Sequence, residues 1–203
     1  MPEKSRASQI FYKYFVIFLL FYSTNPKNSQ TMKLRLTVLL FLMIGFGSIS
    51  IQAQDNAAKI LNAALKKAKV ENKKVFIKYS ASWCGWCKRM DKQMKSEACK
   101  TFFEDNYITI QLIVHESKDK KYLENPGALD LLKKYKGEKS GLPFWVILDE
   151  NGQLLEDSFN EEGQNLGCPA TEEEVQSFIS KLKNTSNLKK KELEVIAETF
   201  QSK

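Results

Sequence analysis

Cys84 and Cys87, in the run Trp83-Cys84-Gly85-Trp86-Cys87-Lys88, are two thiols three positions apart and the residues of this chain best suited to chemistry. Such a pair can cycle between dithiol and disulfide. An ionised outer sulfur attacks a substrate disulfide, and the inner sulfur then releases the mixed disulfide. The flanking sequence favours this use. Val75-Phe76-Ile77-Lys78-Tyr79 is dense in β-branched and aromatic residues and predicts a strand that ends just before the pair. From Gly85 the spacing of Cys87, Met90, Met94 and Ala98 predicts a helix, with Lys88, Arg89, Asp91, Lys92 and Lys95 largely off that apolar stripe. Cys84 is therefore expected to face solvent at the mouth of the helix, where unpaired N–H groups and the positive end of the dipole favour a thiolate. Cys87 falls one turn deeper, better shielded, within reach for a disulfide.

Other uses of the pair fit less well. Covalent haem attachment wants a histidine after the second cysteine, and Lys88 stands there. A zinc site needs four ligands, and beyond this pair the chain offers only Cys99, Cys168 and the single His115. No metal or organic cofactor is expected. A structural disulfide remains open as the rival reading.

The stretch from about Lys73 to Phe159 resembles the thioredoxin superfamily, in particular the periplasmic thioredoxin-like domains related to the C-terminal domain of the disulfide reductase DsbD. Four features carry the resemblance: the strand into Ala81-Ser82-Trp83-Cys84-Gly85-Trp86-Cys87-Lys88, the strand Tyr107 to Val114, the segment Gly141-Leu142-Pro143-Phe144-Trp145-Val146-Ile147-Leu148, and the turn Asp149-Glu150-Asn151-Gly152. It implies an α/β thioredoxin-like fold, a central mixed β-sheet flanked by α-helices. It also implies a cis peptide bond before Pro143, and a proline that lies against the dithiol and blocks metal capture by it. On that likeness Leu142 and Pro143 shape a groove in which the backbone of Leu142 pairs with a substrate chain. Trp83, Gly85 and Trp86 complete the rim. Two departures stand out: Lys78 occupies the place of a buried family aspartate that assists proton transfer, and Trp86 replaces a proline between the cysteines. A cation at position 78 can stabilise a thiolate but cannot act as a carboxylate base.

The formal net charge of the 203 residues is +7, which taken alone suggests an anionic partner. Its distribution says otherwise. Of 31 Lys/Arg and 24 Asp/Glu, six and one lie within the first 53 residues, leaving 25 against 23 and a net +2. A near-neutral remainder gives no electrostatic case for binding nucleic acid. Met32-Lys33-Leu34-Arg35, the apolar run Leu36 to Phe46 and the small residues ending at Ala53 form the three regions of a secretory signal, so 32–53 is expected to be a signal peptide. The preceding 1–31, with its apolar block 10–22, is expected to be an upstream stretch outside the mature protein; the alternative is an uncleaved membrane anchor made from one or both apolar blocks. Export to the periplasm or exterior suits a dithiol, because disulfides persist there.

The rest reads as a thioredoxin-like domain over 54–185 and a helical tail over 186–203. Asn56 to Lys69 puts Ile60, Leu61, Ala64, Leu65 and Ala68 on one helical face. Phe102 and Phe103 are expected in the core, followed by the strand from Tyr107. Leu129, Leu131, Leu132 and Tyr135 supply the apolar face of a second helix, and Asn151-Gly152 turns a hairpin. Thr171 with Glu174 makes a capping box for a helix carrying Val175, Phe178, Ile179 and Leu182. In the tail, Leu188, Leu193, Ile196 and Phe200 fit a helix packed on the domain. Cys99 and Cys168 can pair with each other or stay buried, and His115 has no sequence-based link to Cys84. Together these features predict an exported thiol-disulfide oxidoreductase, more a reductase than an oxidase, acting on protein disulfides with a redox partner protein. The alternative is a thioredoxin-fold binding module with an inert disulfide.

Overall fold

The computed structural model describes residues 54–201, which lie in one compact unit, Gln52–Lys203. The expected signal and upstream segments, 1–31 and 32–53, lie outside the described residues. Helix α1 (Ala57–Glu71) starts at Asn56, whose Oδ1 accepts from the Ala58 N–H at 2.9 Å, and ends at Asn72 in the left-handed region, φ 53°. Strand β1 (Lys74–Ser80) follows and runs into helix α2 (Gly85–Met94). Helix α3 (Lys100–Asn106) then leads to strand β2 (Tyr107–Ile113). A short 3-10 segment (Lys118–Leu123) and helix α4 (Ala128–Lys134) precede strand β3 (Phe144–Leu148). Strand β4 (Leu154–Asp157), helix α5 (Glu172–Thr185) and helix α6 (Lys190–Gln201) complete the domain.

The four strands form one mixed sheet in the order β2-β1-β3-β4. β1 is parallel to β2, with Lys78 beside Gln111, and antiparallel to β3, with Lys78 beside Trp145. Because side chains alternate along a strand, the sheet has two faces with different covers. Val75, Ile77 and Tyr79 join Phe144, Val146 and Leu148 on one face, packed against Ala64 and Ala68 of α1 and Leu132 of α4. Phe76 joins Trp145 and Ile147 on the other, against Met90 and Met94 of α2, Phe103 of α3, Val175, Phe178 and Leu182 of α5, and Ile196 and Phe200 of α6. The same alternation turns Lys78 toward the α2 side.

The capping box of Thr171 and Glu174 forms as expected, and Asn151-Gly152 turns the β3–β4 hairpin with Gly152 at φ 83°. Two expected core positions move outward. Ala98 lies beyond the end of α2 and is exposed, so Gln93 instead joins Cys87, Met90 and Met94 on the buried side. Leu129 is exposed because α4 turns Ala128 and Leu132 inward. The helix predicted for the tail contributes Leu193, Ile196 and Phe200 to the cluster of Phe76 and Trp145. Gln93 ties α2 to its end, its Nε2 donating to the carbonyls of Thr199 and Phe200 at 3.1 and 3.2 Å.

Gly137 leaves room at the start of β3: a Cβ there would fall 2.5 Å from Leu132 Cδ1 and 2.7 Å from Phe144 Cδ1, both on fully buried side chains. Gly137→Ala is therefore expected to destabilise the domain by about 1–3 kcal/mol through overpacking. A shift of the denaturant midpoint, at unchanged slope, checks this.

Candidate active site

Cys84 stands at the junction of β1 and α2. Its backbone is extended, φ −76° and ψ 102°, its N–H closes a turn on the Ala81 carbonyl at 3.1 Å, and its Sγ accepts from the Cys87 N–H at 3.1 Å as the cap of α2. The two cysteines are joined in a disulfide with Cα atoms 5.3 Å apart. A sulfur at this position faces the unsatisfied N–H groups of the first helical turn, which favour negative charge on it.

The outer sulfur is less open than the sequence implies. Cys84 is only 3% exposed and Cys87 fully buried, because both pack with Ala81 and with Leu142 from the loop before β3. Solvent exposure at the site belongs to Trp83 and Trp86, at 59% and 51%. Arg89 sits over the Trp86 ring, its guanidinium carbon 5.2 Å from the centroid. The space around Gly85 is open, and a Cβ on it would meet nothing within 4 Å. Leu142 is thus brought to the dithiol, and its bond to Pro143 is cis.

Two clamps on this loop structure are not visible in the sequence. Glu116, buried after β2, accepts from both the backbone N–H and the hydroxyl of Ser82, the latter at 2.8 Å. Beside it, the His115 carbonyl accepts from Trp83 Nε1 at 2.9 Å, while the His115 side chain is exposed. His115 thus serves the site through its backbone. On the opposite side, Asn165 Nδ2 donates to the carbonyls of Gly141 and Pro143 at 2.7 and 3.1 Å, holding the segment on either side of Leu142. Its Oδ1 accepts from Ser158 Oγ at 2.7 Å and from the Gly167 N–H at 3.1 Å.

Beneath the dithiol lies Lys78, with 2% of its side chain exposed. Its Nζ donates to the Cys87 carbonyl at 3.3 Å and forms an ion pair with Asp91, one turn further along α2. Burial pushes the lysine pKa below its ordinary value, and the hydrogen bond and charge of Asp91 oppose that shift.

Cys99 and Cys168 do not pair with each other; both are buried free thiols, and Cys168 Sγ donates to Gln93 Oε1 at 3.3 Å. Among the described residues, no group of three or more His, Cys, Asp or Glu side chains is placed to hold a metal ion. No helix among them is long and apolar enough to cross a membrane.

Residues 56–150 match the family model described as thioredoxin-like. Solved structures with similar folds include a disulphide isomerase from Xylella fastidiosa Temecula1, at 17% identity over 55% of this chain and 79% of that one, TM-score 0.44. A DsbH oxidoreductase matches at 22% identity over 67% and 85%, TM-score 0.41. The oxidised C-terminal domain of DsbD from Neisseria meningitidis matches at 24% identity over 52% and 84%, TM-score 0.33. No curated protein matches the chain. The mixed sheet and its flanking helices are those of a thioredoxin-like α/β fold.

The thiols differ in expected reactivity. Burial pushes the Cys168 pKa up to about 11, so this thiol stays protonated through neutral pH and ionises only as the pH nears that value. At pH 8 about a thousandth of it is thiolate. Iodoacetamide added to the reduced, folded protein at pH 8 is therefore expected to label Cys84 well before Cys168, with Cys168 reacting readily only after denaturation. Peptide mass mapping reads the order.

Proposed function

With a thioredoxin-like domain as the premise, we propose that this chain is an exported thiol-disulfide oxidoreductase that reduces protein disulfides through Cys84 and Cys87. The observation that carries the reading is the placement of Cys84 Sγ as the cap of α2, bonded to Cys87 and in contact with Leu142. Cys84 attacks and Cys87 resolves. In the reduced enzyme the Cys84 thiolate attacks one sulfur of a substrate disulfide; a mixed disulfide forms and the other substrate sulfur leaves as a thiolate. Cys87, deprotonated, then attacks Cys84 Sγ, forming the Cys84–Cys87 bond and releasing the second substrate thiolate. Two electrons pass from the dithiol to the substrate. A dithiol partner protein returns them, and no metal or organic cofactor takes part.

The exposed faces of Trp83 and Trp86 offer an apolar rim for the substrate, with Gly85 leaving the space beside the sulfurs open. Leu142 and Pro143, just before β3, supply the segment against which a substrate strand pairs. The Asn165 clamp occupies the carbonyls on either side of Leu142 and leaves the Leu142 backbone for that pairing. The secretory pattern over 32–53 supports residence in the periplasm or outside the cell, with membrane anchoring if the N-terminal segment is retained.

The near-complete cover of both sulfurs favours a second reading, a binding module with an inert disulfide. Trapping separates the two. Cys87→Ala is expected to accumulate mixed disulfides through Cys84 with protein substrates, visible as reducible adducts of raised mass. Replacing both cysteines should drop insulin reduction to the rate of the chemical reductant alone. A double variant that reduces insulin at the wild-type rate defeats the oxidoreductase assignment.

A further inference from the structure

Lys78 is a buried cation with an unexplained place in the exchange chemistry. Its neighbours on the same sheet face are Phe76 and Trp145, the face that α2 packs on through Met90 and Met94. A side chain of similar length without a charge would fill this space and avoid taking an ammonium out of water, so packing alone does not account for a lysine. The ammonium is not placed at random: it donates to the carbonyl of Cys87 itself. Asp91 reaches it from α2, one turn beyond Cys87, and that carboxylate is 31% exposed. The other charged or titratable groups acting on Lys78 are Lys95 at the end of α2 and Cys168 from the segment before α5.

We infer that Lys78 is a positioning residue for thiol exchange: its ammonium, held against α2 by Asp91, stabilises the thiolate that Cys87 becomes when it resolves a mixed disulfide. This rests on the oxidoreductase reading and adds to it the means of activating the inner sulfur. In the oxidised state Cys87 carries no charge. During resolution its thiol gives a proton to water, and negative charge appears on the residue whose carbonyl the cation holds, in a water-poor interior where attraction is strong. The thiolate then attacks Cys84 Sγ, the Cys84–substrate bond breaks, and the substrate sulfur leaves with the electron pair. Asp91 keeps the ammonium protonated against the opposing effect of burial. The charge thus supports the inner thiolate from its place on the Cys87 carbonyl, without a carboxylate base at position 78.

The test is the titration of Cys87 in the reduced full chain carrying Cys84→Ser, followed by the carbon NMR shift of its Cβ. Lys78→Gln keeps a hydrogen-bond donor and loses the charge; it is expected to raise the Cys87 midpoint by at least one unit, roughly a tenfold loss of thiolate below it. Lys78→Arg should restore the midpoint. With Cys84 present, resolution of a glutathione mixed disulfide should slow by about threefold for each unit of pKa gained, because a more basic thiolate is also more nucleophilic. If Lys78→Gln does not fold, Lys78→Met combined with Asp91→Asn removes both charges. It should still raise the midpoint, since the buried ammonium holds the Cys87 carbonyl while the carboxylate is partly solvated. An unchanged midpoint in either folded variant overturns the inference. A wild-type protein active on insulin with a Lys78-independent titration sinks this inference alone, whereas an inactive wild type with a Lys78-dependent titration sinks only the oxidoreductase reading.

Discussion

The site depends on α2 starting where β1 ends, with a cysteine sulfur in place of the usual capping oxygen. The first N–H groups of a helix have no partner within it, and the Cys84 Sγ meets one of them at Cys87. That single contact puts the sulfur in the field of the helix and brings the second cysteine within bonding distance. It also ties the chemistry to the sheet, because the strand that delivers Cys84 is an interior one, paired on both sides. A shift of β1 by one residue would exchange its faces and move Lys78 away from α2.

Three side-chain contacts hold this junction in place. Glu116 fixes Ser82 just before the tryptophan, the His115 carbonyl fixes Trp83, and Lys78 reaches up from the sheet to the Cys87 carbonyl. Leu142 closes the remaining side, with its segment held by Asn165. The contacts come from β1, the segment after β2, the loop before β3 and the segment after β4, so the dithiol is supported by parts of the chain far apart in sequence. The result is a pair of sulfurs that is well fixed and narrowly exposed, with the recognition surface carried by the two tryptophans around it.

Local signals made much of this legible. The strand into Cys84, the helical stripe through Met94, the Thr171 capping box and the Asn151-Gly152 turn each depend on neighbours a few residues away, and each appears where its residues predict it. What the sequence hid depends on tertiary packing. The low exposure of Cys84 comes from Leu142, and the burial of Lys78 from the choice of sheet face covered by α2. Glu116 and Asn165 look like ordinary polar loop residues until their partners are known. Ala98 and Leu129 carry the right residue type at the right spacing, but α2 stops before the first and α4 rotates the second outward.

The central claim is that Cys84–Cys87 is a bond made to be exchanged, not a staple. Its reduction potential, measured by equilibrating the folded protein with glutathione redox buffers and quantifying the oxidised fraction, tests this most directly. An exchange-competent dithiol predicts a value above about −300 mV, within reach of protein dithiol partners. A value well below about −300 mV, in the range of structural disulfides, would contradict the account.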